Sequence, residues 1–277
     1  MELVFRCPEP GADGRPAFVL EQCPRTGDIR WTWADGIIFW IATSGRTVSV
    51  YWPPGETSQS AAYYFTGPVL AFLLRRSGKT LLHGSAVASA QGAIAFLGQS
   101  GAGKSTTAAA MLQQGVATVT DDVITLEPAA GGWSVQPGYA GMRLWQDSVE
   151  ALFGSAAVVP RLVDHSESWP GWDKRFLEVD KAGSFSTEPA MLKAIYILAP
   201  RGAGAPRIEL LGPAQQLIEL EINVFQPMLR EAAQRQADLA LFAAMLRQVP
   251  VKRLHAGDAL AGLADVARLV MDDAWAA

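Results

Sequence analysis

Apolar residues in the first 60 positions fall into short runs, "AFVLEQ", "IRWTW", "GIIFWIA" and "TVSVYW". These are rich in aromatic and β-branched side chains and separated by turn signals at Asp35-Gly36 and Ser44-Gly45. Residues 1–60 are therefore expected to form a small β-rich module. Trp31, Trp33, Trp40 and Trp52 crowd into it, as core packing in a small sheet would favour. "PPGETSQS" reads as a linker, and "YYFTGPVLAFLLRR" as a helix leading into a second domain that occupies residues 61–277.

From Thr80 the pattern changes. "TLLHGSAVAS" and "AIAFLG" read as strands separated by a short turn, and "QSGAGKS" is a glycine-rich loop. "TTAAAMLQQG" then reads as a helix beginning near Lys104 and stopping at Gly115. "VATVT" supplies another short strand, followed at once by Asp121 and Asp122. "VITLEPAAGGWSVQPG" reads as a hairpin turning at Gly131-Gly132. Further on, "RLWQDSVEALFG" is expected to be helical, and "KRFLEVD", "KAIYILA", "RIELL" and "VPVKRLH" are expected to be strands. "PMLREAAQRQADLALFAAMLRQ", with apolar positions recurring at three and four residues, is the longest expected helix, and "ALAGLADVARLVMD" is another.

Composition narrows the classes. With 277 residues and 49% hydrophobic content the chain can bury a substantial core. Its 23 basic and 27 acidic residues, a net charge of -4, form no block of like charge, so nucleic acid is not an expected partner. Cys7 and Cys23 lack metal-site spacing and read as a reduced pair, which fits the cytoplasm. No run of about eighteen apolar residues occurs, so neither export nor membrane insertion is expected.

The chemistry is concentrated in one loop. Gly98-Gln99-Ser100-Gly101-Ala102-Gly103-Lys104-Ser105 fits G-x-x-x-x-G-K-[ST] at every fixed position. Glycines let the backbone N–H groups wrap a phosphate, and the following helix aims its positive end at the same anion. Lys104 would meet the β- and γ-phosphates of ATP, and the Ser105 hydroxyl would ligate Mg²⁺. Asp121 and Asp122, one helix and one strand later, would divide the roles of metal ligand and general base. His83 stands in the strand before the loop strand, where a structural role competes with a catalytic one. His165 and His255 have no motif around them.

The stretch from Thr80 to Glu127 combines a histidine-glycine pair, the phosphate loop, a glycine ending the helix and a double aspartate after the next strand. In that order and spacing it resembles the catalytic domain of HPr kinase/phosphorylase and its kinase-like relatives. The resemblance implies an α/β fold with a mixed sheet, like that of phosphoenolpyruvate carboxykinase, beside the small β-rich N-terminal module. It also implies transfer of a phosphoryl group from ATP to a serine hydroxyl of a peptide or protein. By position, Asp121 takes the catalytic base, Asp122 the Mg²⁺-associated carboxylate and His83 the active-site histidine. Nucleotide contacts extend over Gly98–Thr106. Arg143, Lys174 and Arg175 lie in family-like segments and are candidates for the phosphate or substrate. Trp169 and Trp172, in "ESWPGWDKR", suggest a loop over the site.

Two departures are informative. Thr106 stands where HPr kinase has a glutamate, and no proline- and arginine-rich segment follows the central helix, which argues against HPr as substrate and against a phosphorylase reaction. The chain is more similar to the stand-alone kinases that phosphorylate the C-terminal serine of lasso-peptide precursors. A kinase of a small molecule such as free serine and a nucleotide-binding regulatory NTPase are the alternatives. A homo-oligomer is compatible with the resemblance, HPr kinase being a hexamer.

Overall fold

The computed structural model describes residues 1–11, 14–163, 172–179, 184–257 and 260–275. Two compact units divide the chain: Met1–Arg76 with Arg161–Lys174, and Ser77–Pro160 with Arg175–Ala277.

In the first unit, β1 (Glu2–Arg6), β2 (Phe18–Gln22), β3 (Ile29–Trp33), β4 (Ile38–Ile41) and β5 (Val48–Tyr51) form an antiparallel meander in sequence order. Alternation along β3 turns Ile29, Trp31 and Trp33 inward. Trp31 and Trp33 stack with ring centroids 4.8 Å apart, whereas Trp40 and Trp52 stay exposed. The expected linker ends early, because the Thr57 side chain accepts from the Ser60 N–H and caps α1 (Ser58–Tyr64). A π-helical turn, Phe65–Val69, leads on to α2 (Leu70–Arg76). Phe72 meets Trp31 edge-on at 5.5 Å, Tyr64 stacks on Trp33 at 4.4 Å, and the Tyr64 hydroxyl donates to Asp35 at 2.7 Å. These contacts carry the first unit past residue 60, to Arg76.

The second unit is an α/β arrangement around a seven-stranded mixed sheet. Its strands are β6 (Thr80–Ser89), β7 (Gly92–Leu97), β8 (Ala117–Ala129), β9 (Gly132–Val135), β12 (Ala190–Leu198), β13 (Arg207–Leu210) and β14 (Val251–His255). They lie in the order β13-β14-β12-β7-β6-β8-β9, and β9 also pairs with β12, so the sheet curls back on itself. β12 runs parallel to β7 and β14, and the other pairs are antiparallel. A separate ladder joins β10 (Gly141–Trp145) to β11 (Lys174–Glu178).

Both faces of the sheet are covered, which is why β7 and β12 read as uninterrupted apolar runs. Leu82, Ala86 and Ile195 pack towards Leu220 of α5 (Pro213–Ile222) and towards Phe242 and Met245 of α6 (Ala232–Met245). Ile94, Phe96 and Tyr196 pack with Ala108–Met111 of α3 (Lys104–Leu112) and with Val266, Ala267 and Val270 of α7 (Leu263–Trp275). The remaining helix, α4 (Gln146–Phe153), follows β10 directly.

Three expectations need correction. Residues 143–145 belong to β10, so Arg143 is a strand residue and the helix starts at Gln146. The long helix expected from Pro227 is a 3₁₀ turn, Pro227–Leu229, then an extended Arg230, then α6. The Arg230 guanidinium is held by Glu221 and Asp238, and this pairing fixes the break. Finally, β8 runs for thirteen residues and contains Asp121 and Asp122 within it.

Gly84 sits where β6 is clamped between β7 and β8. A Cβ there would collide with the Phe96 carbonyl oxygen and come within 2.6 Å of Leu97 Cδ2 and 2.8 Å of Ile124 Cδ1. Gly84→Ala is expected to destabilise the protein by about 2–3 kcal/mol in urea unfolding. Gly262→Ala, whose Cβ would meet nothing within 4 Å, should stay within about 0.5 kcal/mol of the parent.

Candidate functional site

β7 ends at Leu97 and the chain turns through residues 98–103 into α3. Gly98 and Gly103 have φ of 145° and 99°, conformations that side-chain-bearing residues rarely adopt. Gly98 also passes close to β12, since a Cβ on it would lie 3.2 Å from the Leu198 carbonyl oxygen. α3 begins with no side-chain cap and no acidic residue in its first turn, which leaves its leading N–H groups to the loop. Lys104, 7% exposed, folds back so that Nζ donates to the carbonyls of Gly98 and Gln99 at 2.9 and 3.0 Å. Ser105, the next residue, points its hydroxyl at β8.

On β8, Asp121 is 1% exposed and both its oxygens are engaged. Oδ1 accepts from Ser85 at 2.6 Å and from Ser105 at 2.8 Å, and Oδ2 accepts from the Arg143 backbone N–H at 2.9 Å. In a regular strand the next side chain would point to the opposite face. Here Asp122 has φ 75°, and Thr120 Oγ1 donates to the Val123 carbonyl across the distortion. The Asp122 carboxylate thereby reaches Arg143 as well, accepting from Nη1 at 2.9 Å, and its Oδ1 lies 3.4 Å from His83 Nδ1. The Asp122 side chain is 23% exposed, the more open of the two carboxylates. The Arg143 guanidinium is buried and lies 5.4 Å from the Tyr139 ring centroid.

His83 and Ser85 stand two apart on β6 and so project from one face, His83 facing Asp122 and Ser85 facing Asp121. His83 Nδ1 lies 3.1 Å from the Asp122 carbonyl oxygen, a contact the Nδ1–H tautomer satisfies. Burial lowers the histidine's pKa, Lys104 lowers it further, and Asp122 opposes both.

Where β7 leaves the sheet, residues 223–225 take its place beside β6. The His83 N–H donates to the Asn223 carbonyl, the Phe225 N–H donates to Leu81, and the Phe225 ring meets His83 edge-on at 5.4 Å. The buried Asn223 side chain accepts from the Gly98 N–H at 2.9 Å and donates to the Glu219 carbonyl at 2.8 Å. One residue thus fixes the entry to the glycine loop, the histidine strand and the end of α5.

Of the residues singled out in the sequence, Lys104, Ser105, Asp121, Asp122, His83 and Arg143 form one connected cluster. Gln99, Ser100, Gly101 and Ala102 complete the loop, with the Ala102 N–H bonded to the Gln99 carbonyl. Thr106 faces elsewhere: its hydroxyl is bonded to Ser148 of α4 at 2.8 Å. Arg175 donates from Nη1 to the carbonyls of Ala156 and Val159, while Lys174 falls in the first compact unit. Trp172 meets Tyr63 edge-on at 5.3 Å within the first unit. His255 pairs with Glu209, and His165 and Trp169 lie outside the described residues. Cys7 and Cys23 form no disulfide. Sequence reading missed Ser85 and Asn223; period-two spacing from His83 marks Ser85, but no local signal marks Asn223.

Among the described residues, no three His, Cys, Asp or Glu side chains gather closely enough to hold a metal ion, and no helix is long and apolar enough to cross a membrane. No family model matches the chain, and no curated protein matches it. Among solved structures, the Hpr(Ser) kinase/phosphatase from Coxiella burnetii is similar at 11% identity and a TM-score of 0.37, over 70% of this chain and 90% of that one.

The lowered His83 pKa sets a direction for pH dependence. In the unfolded chain the imidazole takes up a proton near its ordinary value of about 6.5, while in the folded protein it stays neutral to lower pH. Its contribution is therefore fully present above about 6.5 and lost as pH falls below that value. Urea unfolding at several pH values is expected to show the wild type losing stability relative to His83→Gln on acidification. A constant difference between the two would contradict the histidine's environment.

Proposed function

We propose that the protein is an ATP- and Mg²⁺-dependent phosphotransferase that acts on a serine hydroxyl of a peptide or protein. The observation that carries this reading is the 2.8 Å contact between Ser105, which follows the loop lysine, and the buried carboxylate of Asp121. That contact joins a glycine loop suited to phosphate to a carboxylate suited to a metal.

The residues present fit the two cofactors. The left-handed glycines and uncapped start of α3 suit a polyphosphate, with Lys104 as its cation. Ser105 and Asp121 are one hydroxyl and one carboxylate, too few for a protein-only cage but suited to Mg²⁺, which keeps waters and phosphate oxygens as its other ligands. Bound together, the nucleotide and its metal would supply the γ-phosphoryl group and the charge that stabilises its transfer.

The chain's own groups then divide the work. Asp121 is closed off on both oxygens and holds Ser105, so it belongs on the metal side. Asp122 is the more open carboxylate and lies beside His83, so it is the one to accept the proton of the incoming hydroxyl. This exchanges the roles that the family resemblance implies for the pair. Arg143 fixes both carboxylates, one through its backbone N–H and the other through its guanidinium. Asn223 and Ser85 hold the loop entry and Asp121 in place. The serine acceptor, and the C-terminal serine of a lasso-peptide precursor in particular, follow from the sequence resemblance.

The test is incubation with γ-labelled ATP, Mg²⁺ and either the short precursor peptide encoded nearest the gene or free serine. A phosphoserine on the peptide is expected. Asp122→Asn should keep ATP binding within about threefold and lower transfer by about 10²-fold or more. Undiminished transfer in Asp122→Asn would remove it as the base. Label on free serine alone would make the enzyme a small-molecule kinase, and hydrolysis without any acceptor would favour a regulatory NTPase.

A further inference from the structure

β12 runs parallel to β7 with Ile197 paired to Leu97, so both strands end at the same edge of the sheet. The chain leaving β12 consequently passes beside the glycine loop and delivers Arg201 there. Its Nη2 lies 3.5 Å from where a Cβ on Gly103 would stand, and no other heavy atom comes within 4 Å of that point once Gly103's own neighbours are set aside. Arg201 is exposed, and among the described residues no carboxylate or carbonyl holds its guanidinium. Three other arginines of the second unit are tied down: Arg143 by Asp122, Arg230 by Glu221 and Asp238, and Arg253 by Glu209 and Glu219.

The surroundings of Arg201 are positive. Lys104 follows Gly103 directly, and α3 starts there without an acidic side chain. A guanidinium that no carboxylate among the described residues holds raises the local potential in that position unless an anion joins it. The two cations also serve different ends of the loop, since Lys104 Nζ bonds the carbonyls of Gly98 and Gln99 whereas Arg201 stands at Gly103. We propose that Arg201 is a further nucleotide-contacting residue that binds the polyphosphate at the Gly103 end of the loop. The proposal rests on the nucleotide reading of that loop, and it adds a second cation to the site from a strand end 97 residues beyond Lys104.

Calorimetric titration of ATP, ADP and AMP into the wild type, Arg201→Ala, Arg201→Lys and Lys104→Ala tests it, with thermal unfolding as a control for folding. Arg201→Ala is expected to weaken ATP at least tenfold, to change AMP by less than threefold, and to leave the unfolding midpoint unchanged because the side chain is exposed. Arg201→Lys should recover part of the loss. ATP affinity unchanged in Arg201→Ala but lost in Lys104→Ala would overturn the role of Arg201 and leave the nucleotide reading standing. Equal weakening of all three nucleotides would put Arg201 on the nucleoside and overturn the polyphosphate contact. Failure of the wild type to bind any of them would overturn both.

Discussion

The buried carboxylate of Asp121 constrains everything around it. An ionised group at 1% exposure is costly unless donors replace the water it has lost. Three donors do so, and each comes from a different element: Ser85 from β6, Ser105 from the first turn of α3, and the Arg143 N–H from β10. Satisfying one side chain therefore fixes where the helix starts, how β6 lies beside β8, and how β10 approaches the sheet. Removing any donor would leave a charge underpaired in a nearly dry place, and this links the integrity of the fold to the geometry of the site.

The same constraint makes the neighbouring residue unusual. With Asp121 committed to the interior, regular alternation would send Asp122 to the far face. Its left-handed backbone, at a cost of about 1 kcal/mol, keeps it on the same side, where Arg143 and His83 receive it. Aspartate tolerates that conformation better than most residues. Asp122 itself stays in register with Gly84, and the pairing of β6 with β8 becomes irregular only further along, between Ala86 and Val87. Strain confined to one residue, with its side chain held by an arginine, is how two adjacent carboxylates come to share a site.

Much of this was legible in the chain. The apolar runs of β6, β7 and β12 and the spaced glycines of the loop announce themselves, because burial on both faces and positive φ leave few other residue choices. Lys104 and Ser105 stood out by the phosphate-loop pattern, and His83 and the aspartates by their order and spacing around it. What stayed hidden depends on distant partners. A double aspartate reads as the end of a strand, and only the donors around it let β8 continue to Ala129. Asn223 bonds Gly98 across 125 positions, and Arg230 breaks a helical pattern through its pairing with Glu221 and Asp238. The first unit extends to Arg76 because Tyr64 and Phe72 pack on tryptophans whose partners composition alone does not name.

The central claim is that Asp121 and Ser105 form the metal side of the site and Asp122 the acceptor side. Calorimetric titration of ATP with and without Mg²⁺, comparing Asp121→Asn with Asp122→Asn, tests it most directly. The account requires Asp121→Asn to lose the gain in ATP affinity that Mg²⁺ confers and Asp122→Asn to keep it. A gain lost in Asp122→Asn and kept in Asp121→Asn would contradict the assignment.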